Sequence, residues 1–82
     1  MEIPTYDVWL KRWREWCDTQ SSLHSAATTM AARVARVGIP ISEFTLRYHY
    51  TGRYDDVGLG FAKAVWDQLD ALEREQQGFG DD

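Results

Sequence analysis

Phe44-Thr45-Leu46-Arg47-Tyr48-His49-Tyr50-Thr51 is the stretch on which the fold class turns. Phe44, Leu46, Tyr48 and Tyr50 alternate with Thr45, Arg47, His49 and Thr51, a period of two in residue types that favour strands. Taken alone, that pattern predicts a strand. Its flanks predict a helix. Ser42 is a good N-cap with Glu43 behind it, Ile41 is placed to staple against Leu46, and Gly52 stands where a helix C-cap belongs, just past Arg47 and His49. Topology decides between the two, because a strand needs a neighbour for its backbone groups. The candidate neighbour, Val37 to Ile41, is short and interrupted by Pro40. We read the stretch as a short helix and the chain as all-α, a small single-domain bundle of three longer helices and one short helix. The alternative is an α+β domain in which residues 44–51 form an edge strand that pairs across a dimer or with a partner.

Upstream, Ser21 or Ser22 caps a helix whose stripe is Leu23, Ala27, Met30, Val34 and Val37. Gly38 follows at a C′ position, with Arg33 and Arg36 near the negative end of the dipole. The stripe is low in volume, and Ala26, Ala27 and Ala31 leave room beside it. Large groups to fill that room come from the first helix, which starts after Thr5, carries Asp7 in its first turn and runs to about Asp18. There Tyr6, Trp9, Leu10, Trp13, Trp16 and Cys17 fall within roughly 120° of arc. Lys11, Arg12, Arg14, Glu15 and Asp18 take the remainder, so Arg12 reads as a solvated residue that tolerates alanine. With Thr19-Gln20-Ser21-Ser22 as the connection, the two helices read as an antiparallel hairpin with complementary large and small faces.

Downstream, Asp55 or Asp56 caps a last helix that reaches about Arg74, with a core stripe of Val57, Phe61, Ala64, Val65, Leu69 and Leu72. Gly58 and Gly60 each cost about 1 kcal/mol inside a helix, so its first turn frays or it starts nearer Phe61. The domain is expected to span residues 1–76, with 77–82 a flexible acidic tail.

A chain of 82 residues makes one domain with a thin stability margin. Cys17 is the single cysteine, so no internal disulfide or CxxC metal clip exists, in keeping with a reducing cytoplasm. Met1-Glu2-Ile3-Pro4 lacks the features of a signal peptide and no apolar run has the length of a membrane span, so the expected location is cytoplasmic. The net charge of −4 hides a gradient. Residues 31–53 carry Arg33, Arg36, Arg47 and Arg53 against Glu43 alone, while residues 54–82 carry Lys63 and Arg74 against eight acids.

Two surfaces emerge as candidates for function. On a wheel of the last helix, Trp66 points away from Val57 and near Leu59 and Ala62, beside Lys63, Asp67 and Asp70. That makes Leu59, Ala62, Trp66, Asp67 and Asp70 the expected partner-binding patch, for a protein partner or a second copy in a homodimer. Asp70 with Arg74 and Lys63 with Asp67 have the i, i+4 spacing of solvated pairs, which explains these acids more simply than mimicry of a nucleic acid. The Trp9/Trp13/Trp16 stripe could dock in a partner's groove, but a chain this small needs it as core.

The second surface is basic: Arg33, Arg36, Arg47, His49 and Arg53, arranged as a helix, the turn Gly38-Ile39-Pro40-Ile41 and a recognition helix from Ser42 to Tyr50. Thr45-Leu46-Arg47-Tyr48 resembles the T-L-R-Y run of MerR-type recognition helices, and Gly58-Leu59 is similar to their following G-L. The resemblance implies a helix-turn-helix that binds DNA through residues 30–53. The turn is longer than in that family and no wing follows, so its DNA contacts are not transferred, and nucleic acid is not the expected partner.

Chemistry is sparse. Gly58-Leu59-Gly60 lacks the third glycine of a dinucleotide fingerprint, Cys17, His24 and His49 lack metal-ligand spacing, and Tyr54-Asp55-Asp56 reads as a cap. No cofactor, metal or catalytic set is expected. The expected function is a non-enzymatic protein-interaction module that occupies a surface on a larger protein. By analogy of size and of arginine preference over lysine, small phage or mobile-element accessory proteins and inhibitors act in that way. A small helix-turn-helix regulator of DNA is the alternative.

Overall fold

Ser42 settles the ambiguous stretch: its hydroxyl accepts the Phe44 N–H at 3.1 Å and opens a helix over Glu43–Tyr50. At the other end Gly52 adopts φ +84°. Its N–H donates to the His49 carbonyl and the Arg53 N–H to the Tyr48 carbonyl, which satisfies two of the carbonyls that a helix end leaves unpaired. The computed structural model describes residues 5–80, with four helices in the order α1 (Tyr6–Asp18), α2 (Leu23–Arg36), α3 (Glu43–Tyr50) and α4 (Leu59–Gly80). Among the described residues there is no strand, so the edge-strand alternative is not what this chain forms. The helical period divides the alternating residues between two faces. Leu46 and His49 turn inward and are buried with Tyr50 half-covered beside them, while Phe44 is exposed and Tyr48 shares its side.

The α2 ends follow the sequence closely. The Ser22 hydroxyl accepts the Ser25 N–H at 3.0 Å. Gly38, at φ +90°, donates to the Ala35 carbonyl and Ile39 to the Val34 carbonyl, a Schellman ending that brings Ile39 back onto the core. That ending also corrects the stripe. Val37 is the C-cap residue, turned off the helix axis, and is 56% exposed where the stripe had placed it inside.

Two expectations fail at α4. Asp55 and Asp56 do not cap it, because Gly58 holds the N-cap position with its carbonyl accepting the Ala62 N–H at 2.8 Å, and the Asp56 carboxylate takes the Val57 N–H before the helix begins. Gly58 and Gly60 thereby sit at the helix entrance, where glycine costs less than in the interior. The helix also continues to Gly80, past the expected end at Arg74. Of the expected tail, residues 77–80 have helical backbone, and Asp81 and Asp82 lie outside the described residues, as does the stretch Met1 to Pro4.

The tryptophan stripe is core. Trp9 and Trp13 are fully buried, and Trp16 and Cys17 nearly so, against Ala26, Ala27, Met30 and Val34 of α2. The small face of α2 makes room for the indoles, as volume complementarity requires. Each of the two deepest rings is held by more than packing: Trp9 Nε1 donates to the Ala62 carbonyl and Trp13 Nε1 to the Leu46 carbonyl, both at 3.1 Å. α1 thus fastens α4 and α3 to itself. It runs parallel to α4, since Trp9 reaches Ala62 while Arg12 reaches Glu73. α2 runs the opposite way, with Arg33 bonded to Gln68 and Glu75 and Val37 beside Gly60. α1 and α2 each pack on both α3 and α4. No helix in the described residues is long and apolar enough to cross a membrane.

Candidate interaction surfaces

α4 lies against both α1 and α2, and that position divides the patch expected around Trp66. Ala62 is 2% exposed and Leu59 75%, so the two do not form one surface. Trp66 is half-buried against the core, and the Arg12 guanidinium covers its ring at 4.3 Å from the centroid. Arg12 is held there by Asp70 at 2.7 Å and by Glu73 at 3.0 Å. Asp70 therefore pairs across to α1, in place of the expected i, i+4 partner Arg74. Asp67 makes the expected pair with Lys63, at 3.3 Å. Sequence reasoning had put Arg12 in solvent, whereas its side chain is 18% exposed and forms the lid of Trp66.

The basic set is divided as well. Arg33 is bound to Gln68 at 2.9 Å and to Glu75 at 2.6 Å, which turns it toward α4. His49 is 4% exposed and cannot reach a phosphate. The Tyr6 hydroxyl lies 3.0 Å from its Nδ1, and the rings of Tyr6, Trp9, Tyr54 and Phe61 surround it with centroids 4.6 to 5.8 Å away. Burial in that cage lowers its pKa from the ordinary histidine value. Arg36 is exposed at the end of α2, and Arg47 and Arg53 lie on α3 and the loop after it.

What the structure does bring together is an outward face on α3 that sequence reasoning missed as a unit. Phe44 is 52% exposed and Tyr54 40%, with Tyr48 between them. Ring centroids are 6.5 Å apart from Phe44 to Tyr48 and 6.3 Å from Tyr48 to Tyr54. Arg47 stands over Phe44 at 5.6 Å and Arg53 over Tyr48 at 4.5 Å. Neither guanidinium has an ion-pair partner among the described residues, in contrast to Arg12 and Arg33. The face has a rigid foundation, since Tyr54 packs on the caged His49 and the Tyr6 hydroxyl donates to the Tyr54 carbonyl at 3.2 Å. The signal for it was in the sequence: Phe44 and Tyr48 stand at i, i+4, opposite Leu46, His49 and Tyr50 on the same wheel.

Groups with chemical potential are engaged elsewhere. Burial pushes the Cys17 thiol up to about 12, which keeps it protonated and unreactive at neutral pH. His24 Nδ1 meets the Glu43 carboxylate at 2.9 Å on the surface, where Thr28 also donates to Glu43. Among the described residues no three His, Cys, Asp or Glu side chains converge as metal ligands. Comparison of the chain with protein-family models, with curated proteins and with solved structures gives no match in any of the three.

Proposed function

We propose that this chain is a non-enzymatic protein-interaction module that engages a larger partner through the outward face of α3. One observation carries the reading: exposed Phe44, half-buried Tyr48 and exposed Tyr54 form a ring row flanked by Arg47 and Arg53, on α3 and the loop after it, and the other face of α3 is locked into the core. Aromatic residues and arginine are the side chains that most often dominate binding energy at protein interfaces. A monomer gains little by leaving a phenylalanine half in water, and rings held by a rigid helix lose little entropy on binding. The Trp66 patch fits this role less well, because its ring packs on the core and the Arg12 above it is already paired with Asp70 and Glu73.

Photo-crosslinking tests the proposal directly. A benzophenone amino acid placed at position 44 or 48 should give crosslinks to a heterologous protein in native lysate, while the same group at Leu59 or at the exposed Thr29 should not. Crosslinks concentrated at Leu59 would move the contact to α4, and crosslinks between two copies of the chain would replace the heterologous partner by a homodimer.

A further inference from the structure

We infer that the partner segment received by α3 is acidic, a peptide whose carboxylates bind Arg47 and Arg53 while its apolar side chains lie on Phe44, Tyr48 and Tyr54. This deepens the reading of α3 as the contact face and rests on it. The face consists of Phe44, Arg47, Tyr48, Thr51, Arg53 and Tyr54, so it carries two cations and no anion. The acids that follow, Asp55 and Asp56, belong to the exposed loop after Tyr54, and the Asp56 carboxylate accepts the Val57 N–H.

How each arginine is held decides what it can recognise. A guanidinium that lies over an aromatic ring uses its planar face there, while its N–H donors point outward in the plane and remain free for a carboxylate fork. The Arg53 guanidinium lies 4.5 Å from the Tyr48 ring centroid and that of Arg47 5.6 Å from the Phe44 centroid, so each cation stands beside an aromatic ring of the face. The same posture argues against single-stranded nucleic acid, whose bases need bare ring faces to stack on. Here a cation of the protein itself stands over one face of Phe44 and one face of Tyr48. Duplex DNA is disfavoured separately, since it requires several phosphate contacts, while Arg33 is engaged by Gln68 and Glu75 and His49 is buried.

Fluorescence anisotropy with three short labelled probes tests the inference: a peptide of alternating glutamate and leucine, its lysine–leucine counterpart and an oligodeoxythymidylate. The folded wild-type chain should bind the glutamate peptide, more weakly as salt rises. The double variant Arg47→Gln and Arg53→Gln should lose about tenfold in affinity, the loss expected for charge-assisted hydrogen bonds, with an unchanged circular dichroism spectrum. No binding of the glutamate peptide, equal binding of the lysine peptide, tighter binding of the oligonucleotide, or an unaffected double variant would each overturn the inference. The reading of α3 as a contact face is judged apart from it. Should both peptides bind alike and both be lost in Phe44→Ser with Tyr48→Ser, the face would stand and its acidic specificity would fall.

Discussion

The Tyr6 hydroxyl, 3.0 Å from His49 Nδ1 and 3.2 Å from the Tyr54 carbonyl, ties the start of α1 to the end of α3 and to the loop beyond it. A hydroxyl has one proton to give, and the Tyr54 carbonyl can only accept. Both contacts are satisfied when Tyr6 donates to Tyr54 and accepts from a His49 Nδ1–H, which assigns the neutral tautomer from the hydrogen-bond network.

Stability should therefore depend on pH through His49. Burial lowers its pKa in the folded chain relative to the unfolded one, so the unfolded state binds more protons as the medium turns acidic. The contribution of the neutral ring is complete above the unfolded value of about 6.5 and is lost as pH falls toward the lower folded value. The surrounding rings of Tyr6, Trp9, Tyr54 and Phe61 are uncharged and offer an imidazolium no counter-ion. Urea denaturation at pH 7.5 and pH 5.5, compared between wild type and His49→Gln, should show a larger acid-induced loss in the wild type. An identical loss in both would assign the pH dependence to other groups.

Trp13→Ala should cost about 3 to 5 kcal/mol, enough to unfold much of the population of so small a domain. The ring is fully buried, and its loss also frees the Leu46 carbonyl. Thermal denaturation followed by circular dichroism would show it, and a cooperatively folded variant of near wild-type stability would mean that the indole is not a central element of the core.

Arg12→Ala should cost about 1 to 2 kcal/mol, more than a solvated residue would, since it uncovers Trp66 and leaves Asp70 and Glu73 without their cation. A double-mutant cycle with Trp66→Leu, which removes the aromatic face, isolates the stacking part of that loss. Phe44→Ala, at an exposed position, should stay within about 0.5 kcal/mol of wild type.

Gly38→Ala and Gly52→Ala should each destabilise by about 1 to 2 kcal/mol, because both residues hold a left-handed conformation. Space is not the obstacle. A Cβ at Gly38 meets nothing within 4 Å, and one at Gly52 meets Arg14 Nη2 at an ordinary 3.5 Å. Asparagine, which tolerates that conformation better, should recover part of the loss at Gly38 when the variants are melted side by side.

Duplex DNA should not bind with sub-micromolar affinity at about 0.15 M salt. If it did, and log K fell by about 0.9 per phosphate for each unit of log salt, the helix-turn-helix reading would replace the interaction module.

The termini of α2 and α3 were legible because their signals are local. Ser22, Gly38, Ser42 and Gly52 each act on backbone groups a few residues away, and all four do what their positions promise. The alternation from Phe44 to Thr51 misled only as a period, since a helix distributes the same residues to two useful faces. α4 was harder for a different reason. A wheel supposes one buried side, whereas α4 packs on α1 and α2 at once, so Ala62 and Trp66 look unpartnered until the Arg12 lid and the Trp9 hydrogen bond are seen. The α3 face stayed hidden because its third ring, Tyr54, belongs to the loop after the helix and is brought alongside Tyr48 only by the turn at Gly52.

Trp9 and Trp13 anchor to main-chain carbonyls of Ala62 and Leu46, and every residue type supplies that acceptor. These hydrogen bonds consequently register where the neighbouring backbones lie and do not depend on which side chains those two residues carry. The outward positions of α3 and α4 can be replaced freely with the same lock kept, provided the buried residues and the spacing along each helix are preserved. A single residue inserted or deleted within either helix ahead of its carbonyl would rotate that carbonyl by about 100° and out of reach, whereas the loops before α3 and α4 can absorb a change of length.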